Sequence, residues 1–115
     1  MTSGVFSAAF ISNLNSGGSG VAIFSGNTIH GGDASHYYKG KYRFDAHNQI
    51  YGTIDVVRYS PVQNSVFGPI ASFRLKLDGH IIVNERAFEL SGHIEGQPQL
   101  QIKIALNKLD DLIEA

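Results

Sequence analysis

Alternation of apolar and polar residues with a period of two constrains this chain more than any other feature. Between His36 and Asp45, residues Tyr38, Gly40, Tyr42 and Phe44 fall on one face, and Tyr37, Lys39, Lys41 and Arg43 on the other. That pattern is the signature of a β-strand with one buried face. The alternation recurs along the chain. Gly4 to Ser12 sets Phe6, Ala8 and Phe10 against Val5, Ala9 and Ile11; both faces are apolar, so both call for cover. Ser19 to Ser25 and the short Thr28 to His30 are joined by a tight Gly26-Asn27 turn. Gly31-Gly32-Asp33 then reads as a break, since paired glycines tolerate positive φ. Ile50 to Tyr59 lines up Ile50, Gly52, Ile54 and Val56, and Ser60 to Pro69, with two of the three prolines, reads as a long loop. Ile70 to Asp78 points Phe73, Leu75 and Leu77 inward. Asp78-Gly79 has the form of a hairpin turn returning through His80 to Val83. Phe88 to Glu95 and Gln99 to Leu106 follow, separated by the turn Gly96-Gln97-Pro98.

After Leu106 the period changes. Leu106, Leu109, Leu112 and Ile113 share a helical face behind Asn107 as N-cap, which predicts a short C-terminal helix that must dock to be stable. The rest amounts to about eight or nine antiparallel strands at roughly 8–12-residue spacing, hence a barrel or sandwich. Inward glycines at 40, 52 and 92 favour the barrel, whose curvature needs missing side chains. With 115 residues, the expectation is one domain over positions 1–115.

Charge and composition narrow the function. Nine Lys plus Arg against ten Asp plus Glu give a net charge of −1, which argues against a strongly basic nucleic-acid binder. The absence of cysteine removes disulfides, thiolate metal sites and Cys nucleophiles, and fits a reducing compartment. No apolar run approaches the roughly 18 residues of a membrane span. Met1 to Ser19 carries no Lys or Arg, so it lacks the n-region of a signal peptide. The expectation is a cytoplasmic chain that contacts neither membrane nor nucleic acid directly.

Catalytic and metal patterns are weak. The histidines at 30, 36, 47, 80 and 93 form no His-x-His or His-x-x-x-His pair. His30, Asp33 and His36 come nearest to a ligand set, but read as turn and surface residues. Ser91 and His93 lie two apart on a strand face, about 6–7 Å from each other and beyond hydrogen-bond reach. Ser16-Gly17-Gly18-Ser19-Gly20 superficially resembles a phosphate loop, but a strand follows it where a helix N-terminus is required. The expectation is a protein with no catalytic residues, no metal and no cofactor. The inward Phe6, Phe10, Tyr38, Tyr42, Phe73 and Phe88, with the small Gly52, are candidates to line a cavity for a small apolar ligand, because an eight-stranded barrel is just wide enough to hold one. Lys39, Lys41 and Arg43 make a basic stripe that an acidic partner could meet.

Several landmarks occur together and in order. They are Gly4-Val5-Phe6, Phe10-Ile11-Ser12-Asn13, Ile29-His30-Gly31-Gly32-Asp33, Tyr38-Lys39-Gly40-Lys41-Tyr42, Ser65-Val66-Phe67-Gly68-Pro69, Ser91-Gly92-His93 and Lys108-Leu109-Asp110-Asp111-Leu112. Over nearly its whole length the chain resembles the GrlR family, negative regulators of type III secretion. The resemblance implies an all-β fold, an antiparallel eight-stranded lipocalin-like barrel, which with the terminal helix read above completes the expected architecture. It also implies a homodimer and a non-enzymatic role, in which the protein binds a helix-turn-helix transcriptional activator and blocks it. The name-giving members carry a short acidic run, implicated in partner recognition, in the turn after the Tyr-x-Gly strand. Here that turn is Asp45-Ala46-His47-Asn48, with a single carboxylate. Lys39, Lys41, Arg43, Asp45, His47 and Asn48 are therefore the candidate partner contacts. Val5, Ala9 and Ile11, the second apolar face of the first strand, are the candidate dimer face.

Overall fold

Eight strands follow one another around a closed antiparallel barrel in sequence order, with the last pairing back onto the first. The computed structural model describes residues 3–83 and 86–114, apart from the side chains of residues 80–83. The strands are β1 (Gly4–Ser12), β2 (Gly17–Ser25), β3 (Thr28–Gly32), β4 (His36–Phe44), β5 (Gln49–Arg58), β6 (Ser72–Val83), β7 (Ala87–Ile94) and β8 (Gln97–Asp110). The first, fourth, fifth and seventh begin and end within a residue of the alternation read from the sequence.

Three expectations are corrected. Asp78-Gly79 is not a hairpin turn: β6 runs through it, with Gly79 opposite Ile50 on one side and Leu90 on the other. Gly79 continues the inward series Leu75, Leu77, and a Cβ there would lie 1.9 Å from the carbonyl oxygen of Glu89. This glycine serves close approach of two strands, a role the Asp-Gly pair does not distinguish from a turn. Gly31 and Gly32 likewise belong to β3, paired with Ala22 and Val21, and the turn comes at residues 33–35. The C-terminal helix is absent: β8 continues to Asp110, and the described residues contain no helix. Residues 102–110 pair with β1 from Ser12 to Val5. The ladder that closes the barrel thus prevails over a helix of about eight residues, too short to be stable alone.

The core lies inside the barrel. Facing residues alternate in size around one layer, from Tyr42 to Gly52, Leu77, Gly92 and Ile102 on successive strands. The bulk of Leu77 is thereby accommodated between two glycines. Antiparallel order sorts the connections onto two rims. Residues 13–16, 33–35, 59–71 and 95–96 form the upper rim; residues 26–27 and 45–48 lie at the lower. Phe6, Phe24, Tyr42, Phe44 and Phe88 all sit near the lower rim and fill it. Their ring centroids lie 4.9 Å apart for Phe6 and Phe24, 5.4 Å for Phe6 and Phe88, and 5.1 Å for Phe24 and Tyr42. Phe6 and Phe24 are 0% exposed.

Candidate functional site

The aromatic plug leaves the upper half of the barrel less densely filled. A cavity of about 110 Å³ lies there, walled by apolar side chains that include Ala8, Phe10, Ala22, Val56, Phe73 and Ile104. Exposed Gln63 and Asn64 also line it, so it reaches the surface at the upper rim. Of the candidate cavity residues, Phe10, Tyr38 and Phe73 line this space, whereas Phe6, Tyr42 and Phe88 belong to the core below it. Gly52 lies in the layer of Tyr42 and does not line it.

The loop between β5 and β6 partly covers the rim. Val66 and Phe67 are buried, and Phe67 meets Phe73 edge-on at 5.3 Å. The buried Ser12 hydroxyl donates to the carbonyl of Val66 at 2.6 Å, tying the loop to β1. The Tyr59 hydroxyl donates to the carbonyl of Asp33 at 2.5 Å, tying it to the β3–β4 turn.

That turn builds a polar cluster at the cavity mouth. Asp33 Oδ1 accepts the amides of Ser35 at 2.9 Å and His36 at 2.8 Å, the geometry by which a short acidic side chain stabilises a turn. Asp33 Oδ2 accepts the hydroxyl of Tyr38. Ser35 Oγ lies 2.8 Å from His36 Nδ1, and Asp33 Oδ1 lies 3.7 Å from the same nitrogen. Burial pushes the Asp33 carboxyl up, but the hydrogen bonds from Tyr38, Ser35 and His36, with the nearby imidazole, outweigh it and hold the group below the usual carboxylate range. Burial, then the hydrogen bond to Asp33, raise the Tyr38 hydroxyl well above its ordinary value.

His36 corrects the reading of its histidine as a turn or surface residue. It is 3% exposed and shares the inward face of β4 with Tyr38 and Tyr42. Its phase with those tyrosines is visible in the sequence. His30 is exposed on the outward face of β3, so the His30, Asp33, His36 triple is split between the two sides of the wall. No group of three metal-ligating side chains comes together among the described residues.

The basic stripe and its tip lie outside, running to the opposite rim. Lys39 stands opposite Asp55, and Asp55 accepts Arg74 Nε at 2.7 Å. Arg43 stacks on the ring of Tyr51 at 4.6 Å. Lys41 faces Thr53. The stripe is thus part of a mixed-charge face. At the tip, Asp45 Oδ1 accepts the amides of His47 at 2.8 Å and Gln49 at 3.1 Å. These bonds, the first above all, hold its carboxyl below the usual range. The tip's single carboxylate therefore fastens its own turn, while His47 and Asn48 are exposed.

A second outer surface is apolar. Ile11 is 49% exposed, Val21 40% and Ile23 38%. Val5 pairs with Ile23, Ser7 with Val21, and Ala9 with Ala105 across the neighbouring strand. Val21 and Ile23 extend the Val5, Ala9, Ile11 face. Their outward phase is carried by the same alternation that points Ala22 and Phe24 inward.

No curated protein matches the chain. A family model described as "T3SS negative regulator, GrlR" matches residues 1–112. That span takes in all eight strands, the cavity with its polar mouth, and both outer surfaces, and the chain belongs to the GrlR family of negative regulators of type III secretion.

Proposed function

We propose that the protein regulates by contact: it is a cytoplasmic homodimer that binds and sequesters a transcriptional activator. Membership of a regulator family supports the regulatory part. The observation that carries the dimer is the apolar outer face of β1 and β2. Exposed Val21 and Ile23 stand there beside Val5, and Ala9 and Ile11 continue the row along β1, with Ser7 and Ser19 between. A contiguous apolar patch on a sheet face favours association, and a second copy of the same face would cover it about a two-fold axis. Light scattering at micromolar concentration tests this: the wild type should run at twice the monomer mass and Ile23→Lys at the monomer mass. A monomeric wild type refutes it. For the activator, Lys39, Lys41, Arg43 and the Asp45–Asn48 tip are the proposed contacts. Reversing the three basic charges should weaken capture of a helix-turn-helix activator at least tenfold, and unchanged affinity removes the stripe from the interface.

The cavity favours a second reading, a carrier or sensor of a small apolar ligand. Its walls are apolar and it reaches the surface at one rim, the usual form of a small-molecule site.

A further inference from the structure

We propose that the cavity takes a small neutral molecule with a hydroxyl head, its short apolar chain in the barrel and its hydroxyl on Nε2 of His36. The inference rests on the carrier reading and assigns the ligand's chemistry. His36 lines the cavity and is 3% exposed. Its Nδ1 is engaged by Ser35 Oγ, whereas its Nε2 is the buried side-chain nitrogen or oxygen with no hydrogen-bond partner among the described residues. A buried polar atom of this kind favours a partner that supplies the missing bond.

The head follows from hydrogen-bond bookkeeping. Ser35 Oγ lies 3.4 Å from Asp33 Oδ1 as well as 2.8 Å from His36 Nδ1. If the serine proton goes to Asp33, Nδ1 carries the ring proton and Nε2 accepts. If the proton goes to Nδ1, Nε2 donates. A hydroxyl satisfies either tautomer; a carbonyl, which only accepts, or an ammonium, which only donates, satisfies one.

Charge excludes an anion. Among the described residues, Asp33 is the carboxylate lining the cavity, and no lysine or arginine lines it. Asp33 is kept ionised by the bonds described above. A second carboxylate at the mouth would meet like charge, with no lysine or arginine in the wall to offset it. Size sets the chain. The cavity, about 110 Å³, is smaller than an apolar cavity of about 150 Å³ that admits benzene, so it encloses a chain of roughly four carbons, and the carbons of a longer chain next to the head lie in the open mouth. Orientation follows from the fold: His36 opens β4 at the upper rim, so the head lies at the mouth and the chain points towards the aromatic plug.

The test titrates 1-hexanol and hexanoate into the full-length protein and follows the imidazole nitrogens of His36 by long-range proton–nitrogen correlation. Xenon uptake by xenon NMR reports independently on whether the cavity accepts an apolar guest. The expected result is saturable 1-hexanol binding that moves His36 Nε2, at least tenfold weaker binding of hexanoate, and at least tenfold weaker 1-hexanol binding by His36→Phe, which keeps xenon uptake. Should His36→Phe not fold, the Nε2 shift in the wild type decides instead. Hexanoate binding as tightly as hexanol overturns the neutral head. Hexanol binding with no movement of Nε2, or equal binding by His36→Phe, overturns the anchor. Xenon uptake without hexanol binding overturns the proposal and leaves the carrier reading standing; exclusion of both removes that reading too.

Discussion

Replacing Asp33 by Asn is the sharpest probe of the upper rim. The change keeps the shape of the side chain, and its amide oxygen can still accept the amides of Ser35 and His36 at the Oδ1 position. The amide nitrogen at the Oδ2 position then faces the Tyr38 hydroxyl, which now donates to Oδ2. The charge-assisted hydrogen bond is exchanged for a neutral one, from the new amide nitrogen to the Tyr38 oxygen, a loss of about 1–2 kcal/mol. We take about 1.5 kcal/mol, since Asp33 keeps some contact with solvent. For a chain of this length that lowers the unfolding midpoint by about 6 °C. A double-mutant cycle in urea with Tyr38→Phe isolates the pair and should return a coupling of at least about 1 kcal/mol. The pH dependence gives a second readout. The folded Asp33 carboxyl titrates below the usual carboxylate range, so its contribution is fully present above the unfolded value of about 3.9. It is lost as pH falls through the lower folded value. The stability gap between wild type and Asp33→Asn should therefore be constant from pH 7 to 5 and narrow below about pH 4. A coupling under about 0.5 kcal/mol, or a gap that widens in acid, would refute the reasoning.

Two further substitutions test the frame around the cavity. Phe24→Ala removes a fully buried ring that meets Phe6, Tyr42 and Phe88; it should cost about 3–5 kcal/mol in chemical denaturation, and a loss under about 1.5 kcal/mol would mean the plug collapses freely. Gly92→Ala brings a Cβ to 2.1 Å from the carbonyl oxygen of Lys76, so β6 and β7 must separate. The expected result is a strongly destabilised protein with early amide exchange along β7, and near-wild-type stability would refute the close approach.

The barrel itself was legible because each strand carries its inward face in phase, from Phe6, Ala8 and Phe10 to Leu100, Ile102 and Ile104. Its errors share one cause. Asp78-Gly79, Gly31-Gly32 and the leucines after Leu106 are signals that local chemistry leaves ambiguous, and pairing with another strand resolves them: Gly79 with Leu90, Gly31 with Ala22, Asn107 with Ser7. The candidate site was less legible for the same reason. His36 and Tyr38 belong to one alternation and could have been read together. That the β5–β6 loop would send Val66 and Phe67 down onto the rim depends on Ser12 meeting Val66 across 54 positions, a contact with no signature in either segment. The division of the aromatics into a lower plug and an upper cavity wall needs the antiparallel order, which places residues from different strands on one rim.

That division also separates the two functional readings. His36 and the Asp45 tip bracket the same strand, β4, about 25–30 Å apart along an extended backbone, with the buried aromatic plug beside the tip's end. Sites so distant, with no shared partner, combine additively to within about 0.5 kcal/mol. Val56→Phe exploits this. Val56 lines the cavity beside Phe73 and Tyr38, far from the β1–β2 face and from the tip. The larger ring should occupy the cavity and abolish xenon uptake, at an overpacking cost of about 1–3 kcal/mol, while mass in solution and capture of the activator stay within twofold of wild type. A change in activator affinity beyond fivefold, in a variant still folded and still dimeric, would contradict additivity. The plug would then be transmitting the occupancy of the cavity to the lower rim, and the two readings would merge into one: a regulator whose grip on its activator is set by what the barrel holds.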